Sequence, residues 1–316
     1  MSHLAIGRRE SNILGGLPTN AQKMAARFLR GRVTQNRCAD QPKKAQSFRL
    51  CRAFTVPREA LDKRRSHGKN RPMCTRYISP EEREIEDFWR IDRKKQRKKD
   101  WESLLTVFPL SEASFIRRAD EVEYARELVI GQWGMIPPWS KTHVPTTARG
   151  TRLSTVNART EGMEKSPTYK NAWARGKRCI IPAASFDEPN WETGRNVWWR
   201  FRRVDGVPWG LAGLWDTWTD KETGEVWDNY TMLTLNADGH PLMGRMHKPD
   251  PNLAPNQQDK RSVIPLESHE FDLWLTGTIE QAKQLLKLAP VEIFDAGPES
   301  NSGSAGALES SALGSS

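Results

Sequence analysis

The sequence predicts an α+β fold with a curved antiparallel sheet, because many short strand-like segments joined by turn signals accompany only a few helical segments. Asp205-Gly206 and Thr223-Gly224 each separate two strand-like segments, which is the pattern of a β-hairpin. All 13 tryptophans follow residue 73, so the folded domain is expected to lie after that point. The paired segments are residues 196–204 with 207–215, and residues 215–219 with 225–235.

Two helices and four further strands complete the predicted fold. Ser79-Pro80-Glu81-Glu82 has the pattern of a capped helix start with Ser79 as the cap, and this helix is expected to run to about Leu105. A second helix is expected over residues 270–288 because its apolar residues recur at helical spacing. The additional strands are predicted at residues 127–133, 178–182, 261–266 and 291–294.

Charge and composition divide the chain into a leader, a central domain and a tail. Residues 1–72 hold 17 of the 49 basic and 4 of the 39 acidic residues, so their net charge is +13 and that of residues 73–316 is −3. A general argument from basic pI to nucleic-acid binding therefore fails for the domain. Residues 1–72 are expected to be a disordered leader that is cleaved, serves as an Arg-rich tail, or is not translated. Residues 297–316 are Ser/Gly/Ala-rich and predict a flexible tail after a domain of residues 73–296.

Cysteine usage and hydropathy exclude several protein classes. The four cysteines, Cys38, Cys51, Cys74 and Cys179, form no CxxC motif, which argues against a disulfide framework or a zinc site. We therefore expect no metal and no cofactor, and a reducing, cytoplasmic compartment. No stretch of 18 apolar residues is present, so no transmembrane segment is predicted.

Met73-Cys74-Thr75-Arg76-Tyr77 resembles the beginning of a protein although it lies inside the chain. If Cys74 becomes N-terminal, it carries both a thiol and an α-amine with a pKa of about 8. Such an aminothiol condenses with an aldehyde to an imine, and the thiol then closes a five-membered thiazolidine ring. Arg76 would help to keep the thiol ionised or bind an anion. The alternative is that Cys74 is a small buried hydrophobic residue.

Three other segments contain side chains of catalytic type. Asn157-Ala158-Arg159-Thr160-Glu161 combines an amide, a cation and a carboxylate, although a turn with a solvated ion pair is the simpler interpretation of this motif taken alone. Glu188 follows a buried strand and Phe186, so desolvation would raise its pKa and suit it to acid–base work, unless it is an ordinary loop carboxylate. His240 and His247 lie in a cation-containing segment, where a histidine could transfer protons near an anion or simply lie at the surface.

In this order, these segments resemble the SOS response-associated peptidase (SRAP) family, also called abasic-site processing proteins. The resemblance covers residues 73–296 and implies curved, barrel-like antiparallel β-sheets flanked by a few helices. One departure is that the family's compact His-Asp-Arg-Met-Pro-like segment is interrupted after His247 by a Pro/Asn/Gln-rich stretch. The matching segments are Met73-Cys74-x-Arg76, Trp133-Gly134-x-Ile136-Pro137-x-Trp139, Asn157-Ala158-Arg159-x-Glu161, Arg178-Cys179-Ile180-Ile181-Pro182, Phe186-x-Glu188 and Ala212-Gly213-Leu214-Trp215.

The resemblance implies an enzyme of the DNA-damage (SOS) response that binds single-stranded DNA at an abasic site and forms a covalent thiazolidine protein–DNA crosslink, a lyase-type activity. Cys74 would be the nucleophile, Asn157 would orient it and the sugar, Glu188 would move protons, and His247, with His240 as second choice, would be the catalytic histidine. The implied DNA contacts are Arg76 and Arg159 to phosphates, and Trp133, Pro137 and Trp139 at a wedge that can stack an unpaired base.

The resemblance further implies a monomer that associates with the nucleoid when bound to DNA. Two other functions remain open. One is a cysteine-type peptidase, a hydrolase that removes its own leader through a Cys74–His247 pair. The other is a single-stranded DNA-binding module without covalent chemistry.

Overall fold

A computed structural model describes residues 75–91, 101–119 and 126–299. The predicted leader, Met73, Cys74 and residues 300–316 lie outside the described residues. Within the described ranges there are 13 strands: β1 (Arg76–Ile78), β2 (Thr106–Val107), β3 (Glu112–Arg118), β4 (Arg126–Trp133), β5 (Asn157–Arg159), β6 (Arg178–Ala183), β7 (Ser185–Asn190), β8 (Val197–Arg203), β9 (Trp209–Thr219), β10 (Val226–Asn236), β11 (Arg261–Val263), β12 (Pro265–Leu266) and β13 (Phe294–Pro298). The helices are α1 (Glu82–Trp89), α2 (Glu102–Leu105), α3 (Thr160–Met163), α4 (Lys170–Ala174), α5 (Phe271–Thr276) and α6 (Ile279–Gln284).

The larger sheet closes into a five-stranded barrel, which confirms the predicted α+β, barrel-like fold. Strands β4, β3, β6, β9 and β10 follow one another around it, and β10 completes the ring by pairing with both β9 and β4. The barrel is packed so tightly that a Cβ atom on Gly213 of β9 would lie 2.8 Å from the carbonyl oxygen of Thr231 and 2.9 Å from Sγ of Cys179. This close approach explains why glycine occupies the centre of the Ala212-Gly213-Leu214-Trp215 motif.

The second sheet has five strands in the order β13-β8-β7-β1-β2. Tyr77 of β1 lies opposite Phe186 of β7, and Phe186 stacks on Phe201 of β8 with ring centroids 5.0 Å apart. The hydroxyl groups of Tyr77 and Tyr230, a barrel residue, lie 2.5 Å apart, and both side chains are completely buried. The inner faces of the sheet and the barrel therefore share one aromatic core.

The helices are shorter than predicted. Helix α1 begins after Glu81 rather than with a Ser79 cap, because the buried Ser79 hydroxyl contacts Pro80 and Ser114 instead. It ends at Arg90, whose φ of 53° is left-handed, and residues 92–100 of the predicted long helix lie outside the described residues. The helix expected over residues 270–288 is divided into α5 and α6, since Thr278 starts a new helix with its own capping box.

Several strands match their predictions, including β4, β6 and the β9–β10 hairpin around Thr223-Gly224. The hairpin predicted around Asp205-Gly206 is wrong, because β8 and β9 belong to different sheets. Both edges of β8 are already paired, with β7 and with β13, so it has no edge left for β9. The last strand starts at Phe294 rather than at Val291. No helix among the described residues is both long and apolar enough to cross a bilayer.

Candidate active site

Two consecutive carboxylates on β7 organise the site. Asp187 is completely buried and Glu188 is 1% exposed. Because side chains alternate across a strand, they point to opposite faces of the sheet and meet different partners. Asp187 contacts arginines, whereas Glu188 contacts a histidine.

Glu188 and His247 form the central pair of the site. The His247 Nε2 atom lies 3.3 Å from Glu188 Oε2, and the two side chains are 8% and 2% exposed. The His247 backbone N–H donates to the carbonyl oxygen of Pro189 at 2.6 Å, which continues the bridge between Asn190 and Met246. The end of β7 thus fixes both partners, although they are 59 positions apart in the sequence.

His240 has a structural role. Its Nε2 atom donates to the carbonyl oxygen of Ala289 at 2.8 Å, and its Nδ1 atom accepts from the N–H groups of Leu242 and Met243 at 3.1 and 3.0 Å. These bonds occupy both ring nitrogens and require the tautomer with the proton on Nε2. Of the two histidines considered from the sequence, His247 is therefore the one placed to exchange protons with Glu188.

Lys260 supports this pair, and the sequence analysis did not identify it as a site residue. Its buried Nζ atom donates to the carbonyl oxygens of Met246 and His247 at 2.6 Å each. These two bonds hold His247 in a left-handed conformation with φ of 63°, which a residue with a Cβ atom rarely adopts. No local pattern marks such a lysine, since its role depends on contacts with residues 13 and 14 positions away.

Arg76 lies on the other face of the five-stranded sheet, within a network of charges. Its guanidinium contacts both Asp187 and Glu299, and the Arg200 guanidinium contacts the same two carboxylates at 2.9 and 2.6 Å. The Asp187 hydrogen bond raises the pKa of Arg200, against the opposing effect of burial. Arg76 therefore anchors β1 to β7 in this structure, and its contact with a DNA phosphate stays a prediction.

Asn157 and Arg159 lie on β5, at the edge of the barrel sheet, where β5 runs parallel to β10. Asn157 is half-buried, whereas Arg159 is exposed and pairs with Asp259 at 2.7 Å. Glu161, at the end of the same motif, binds the Arg261 guanidinium through two bonds of 2.9 and 2.7 Å. The carboxylate of this motif therefore ties α3, which directly follows β5, to β11.

Trp133 offers no surface on which a base could stack, which corrects its predicted contact with DNA. The ring is completely buried, its Nε1 atom donates to the carbonyl oxygen of Val156 at 3.0 Å, and it packs edge-to-face on Tyr77. It thereby connects β1 to the residue that precedes Asn157. Pro137 is buried as well, so Trp139, which is 52% exposed, is the residue of the predicted wedge that can reach a ligand.

Cys179 is the one cysteine among the described residues, and it is not a candidate nucleophile. Its thiol is completely buried, and burial raises its pKa well above the ordinary value. A thiol in that state is a poor nucleophile, because the thiolate is the reactive form. The other candidate, Cys74, lies outside the described residues.

A cavity of about 300 Å³ opens beside His247. We call it the His247 cavity; its lining includes Trp191, Arg245, Pro255, Gln258 and Lys260. Among the described residues, no group of three or more His, Cys, Asp or Glu side chains could hold a metal ion. The chemistry that this arrangement offers is proton transfer by a buried carboxylate–imidazole pair.

The barrel, the second sheet and the buried Glu188–His247 pair define an α+β protein with a candidate acid–base site at the end of one strand. A family model described as SOS response associated peptidase (SRAP) matches residues 73–298, and the chain belongs to this family. The resemblance inferred from the sequence motifs is thereby confirmed.

Curated relatives match over part of their length. The abasic site processing protein YoqW of Bacillus subtilis is 27% identical over 135 residues, which cover 42% of this chain and 56% of YoqW. The abasic site processing protein HMCES of Pongo abelii is 27% identical over 132 residues, covering 40% of this chain and 35% of HMCES. The matches thus span between about a third and just over half of these relatives.

Solved structures match over most of the described chain. A crystal structure of a protein from Bordetella bronchiseptica is 33% identical and has a TM-score of 0.60. The match covers 72% of this chain and 99% of that protein. A crystal structure from Bacteroides thetaiotaomicron is 22% identical with a TM-score of 0.55, covering 72% of this chain and 93% of that protein. The second comparison shows the fold alone.

Proposed function

We propose that this chain processes abasic sites in single-stranded DNA by forming a covalent thiazolidine crosslink through Cys74 as its N-terminal residue. The observation that supports this proposal most directly is the buried Glu188–His247 pair at the end of β7, the strand that pairs with β1. Membership of the SRAP family and the names of the curated relatives agree with it.

Strand β1 starts two residues after Cys74 in the sequence and pairs with the strand that carries Glu188. Two peptide units of about 3.8 Å each join Cys74 to Arg76, so their Cα atoms are at most about 7.6 Å apart. Arg76 lies directly opposite Asp187, the residue before Glu188. The proposal therefore requires the residues before Arg76 to bring the Cys74 nucleophile to the Glu188 side of β7.

The reaction needs a proton acceptor and a proton donor in turn. The Cys74 amine attacks the sugar aldehyde, and Glu188 moves a proton from the resulting ammonium to the alkoxide, which gives a carbinolamine. Glu188 then passes the proton of the Cys74 thiol to the departing hydroxyl, so that water leaves and an iminium ion forms. The thiolate adds to the iminium carbon and closes a neutral ring, with one water released overall. His247, at 3.3 Å, shares the proton held by Glu188 between these steps.

The strand itself must be bound by a local surface, since residues 73–316 carry a net charge of −3. Trp139 and Arg159 are the exposed members of the predicted contact set, at 52% and 42%. A tryptophan can stack on an unpaired base for roughly 1–3 kcal/mol. Arg159 can exchange Asp259 for a phosphate, because their ion pair is solvent-exposed and therefore weak.

The test is a crosslinking reaction with an abasic single-stranded oligonucleotide, using a chain started at Met73 and the full chain side by side. We expect a denaturation-resistant band with the shorter chain after removal of Met73, and its loss in Cys74→Ala. Cys179→Ala is the matched control and should retain the band, because that thiol is buried and inert. An undiminished band in Cys74→Ala would contradict the proposal.

A second candidate function is self-cleavage before Cys74, which the word peptidase in the family's name and the presence of His247 favour. Intact-mass measurement of the full chain with and without Glu188→Gln tests it. Loss of residues 1–73 only when Glu188 is intact would support self-processing. A full-length mass in both proteins would remove this candidate and leave the crosslinking function standing.

A further inference from the structure

The His247 cavity is the feature that the acid–base chemistry does not use. The cavity adjoins the Glu188–His247 pair, because His247 is part of its lining. Most of the other lining residues have no part in the proposed reaction. At about 300 Å³ it lies at the lower limit of the volumes typical of small-molecule sites. Three of its lining residues, Pro249, Pro255 and Gln258, belong to the Pro/Asn/Gln-rich stretch that interrupts the family motif after His247.

Hydrogen bonds of one side chain hold this stretch in place. The Gln258 side-chain nitrogen donates to the carbonyl oxygens of Asp250, Leu253 and Ala254 at 3.1, 2.9 and 3.2 Å. Its side-chain oxygen accepts from the Asp250 N–H at 2.6 Å. One amide thus fixes the loop that carries Pro249 and Pro255 to the cavity.

Trp191, which directly follows β7, also lines the cavity. The ring is half-buried, and the Lys248 ammonium lies 5.1 Å from its centroid. Such a cation–π contact holds an aromatic ring in place without covering all of it. The indole therefore presents a fixed planar surface close to His247.

The charged groups of the lining are already engaged with protein partners. Arg245 forms two bonds of 2.8 Å with Glu192, and this pairing lowers the pKa of Glu192 to about 2. The Lys260 ammonium donates to two backbone carbonyls. The remaining surface is mostly apolar, formed by an indole and two prolines. It suits a flat ring that binds by stacking and not a phosphate.

We propose that the His247 cavity receives the base of one nucleotide next to the abasic site, stacked on Trp191. The inference rests on the proposed function, which places the abasic sugar at Glu188 and His247 and hence its neighbour at the adjoining cavity. The stretch after His247 then determines how the flanking strand is held. Stacking uses the π-face common to all bases. Removal of the flanking base should therefore weaken binding, whereas exchange of one base for another should change it little.

The experiment measures equilibrium binding of the full chain to fluorescent oligonucleotides with a central tetrahydrofuran abasic analogue, which has no aldehyde and cannot crosslink. In two further strands a second tetrahydrofuran removes the base on the 5′ or the 3′ side. We expect one of these removals to weaken binding at least about five-fold, which is the lower end of base–aromatic stacking. All comparisons use the same chain, so the charge of the leader cancels.

Trp191→Ala should abolish this dependence on the flanking base, whereas Trp191→Phe, which retains a stacking ring, should keep most of it. Trp198→Ala is the matched control. Trp199 lies opposite Glu188 in the β7–β8 pair, so the neighbouring, exposed Trp198 points to the sheet face away from Glu188. An equal penalty in Trp191→Ala and in the unmodified chain would overturn the proposal, as would the absence of any penalty on either side. A failed crosslinking reaction would instead contradict the proposed function, so the two failures are distinguishable.

Discussion

The ammonium group of Lys260 donates a hydrogen bond of 2.6 Å to the backbone carbonyl oxygen of His247, and both residues are buried. A second bond of the same length goes to Met246. Lysine is seldom buried unless it is paired, and these two carbonyl oxygens are the partners that allow Lys260 to be buried here. The bonds replace the regular secondary structure that the His247 segment lacks, and they leave the imidazole directed at Glu188.

Replacing Lys260 with methionine should disturb the site more than the rest of the fold. The Met side chain keeps the apolar stem but leaves two buried carbonyl oxygens without these donors, at about 1–3 kcal/mol each. We expect a lower midpoint of thermal unfolding and a slower crosslinking rate at saturating DNA. Lys283→Met, which removes an exposed lysine paired with Glu164, is the control and should change neither. An unchanged rate in Lys260→Met would show that His247 does not need this support.

Glu188 and His247 should behave as one unit in crosslinking. Glu188→Gln removes the proton acceptor and His247→Asn removes its partner, so each variant should react more slowly. Because the two side chains are in contact, the double variant should be hardly slower than the worse single variant. Single-turnover rates measure this, with binding to the tetrahydrofuran strand as the control for affinity. Multiplicative rate losses would mean that the two groups act independently.

The buried carboxylate of Asp187 should contribute more to stability than any other charge near the site. Asp187→Asn leaves Arg76 and Arg200 facing each other with Glu299 as their remaining shared carboxylate. Removing one partner of a buried ion pair costs about 3–5 kcal/mol. We expect a large fall in the unfolding midpoint, and slower crosslinking because β1 is less firmly held. Asp295→Asn, on the exposed face of β13, should stay within about 0.5 kcal/mol of the parent chain.

The sequence predicted the strands that local pattern determines and missed what depends on distant partners. β4, β6 and the β9–β10 hairpin follow from apolar runs and a Thr223-Gly224 turn. The Asp205-Gly206 turn is also real, with Gly206 at φ of 76°. No local signal, however, reveals that β8 is already paired on both sides. Sheet partners are chosen by the whole topology, and turn residues alone cannot specify them.

In the candidate site, too, the sequence predicted what local motifs determine and missed what depends on distant contacts. The motifs singled out Glu188 and His247, because their order along the chain matched a family, and the two side chains lie 3.3 Å apart; their joint role in catalysis stays a prediction. Trp133 was misplaced, since an aromatic residue at the end of a strand can face the core or a ligand and β4 is buried on both faces near that end. Lys260 was missed altogether, because a lysine in a polar stretch gives no indication that it is buried.

Gly213 should not tolerate a methyl group. Its position in β9 would place the new carbon within 3.0 Å of a backbone oxygen, a sulfur and an Ile181 carbon, and none of these is at a flexible surface. Overpacking of this kind costs typically about 1–3 kcal/mol. Denaturant unfolding of Gly213→Ala should show that loss. Gly239→Ala is the control, since its added carbon would meet nothing within 4 Å. Equal stabilities of the two variants would contradict the tight barrel described above.

Glu161 should make a contribution to stability that disappears in acid. Burial raises its pKa, but hydrogen bonds from Arg261 and from the Asn236 N–H lower it more, so the folded-state pKa lies below the ordinary value of 4.5. A carboxyl with a depressed folded-state pKa stabilises the fold above its unfolded pKa, and this stabilisation is lost as pH falls through the folded pKa. Glu161→Gln should therefore unfold at a lower temperature than the parent chain at about pH 7, and the difference should shrink towards about pH 3. The difference is small because the side chain is 51% exposed. Glu222→Gln, in an exposed turn, is the control for loss of a surface charge, and a Glu161 difference that stayed constant or widened in acid would contradict the assigned ion pair.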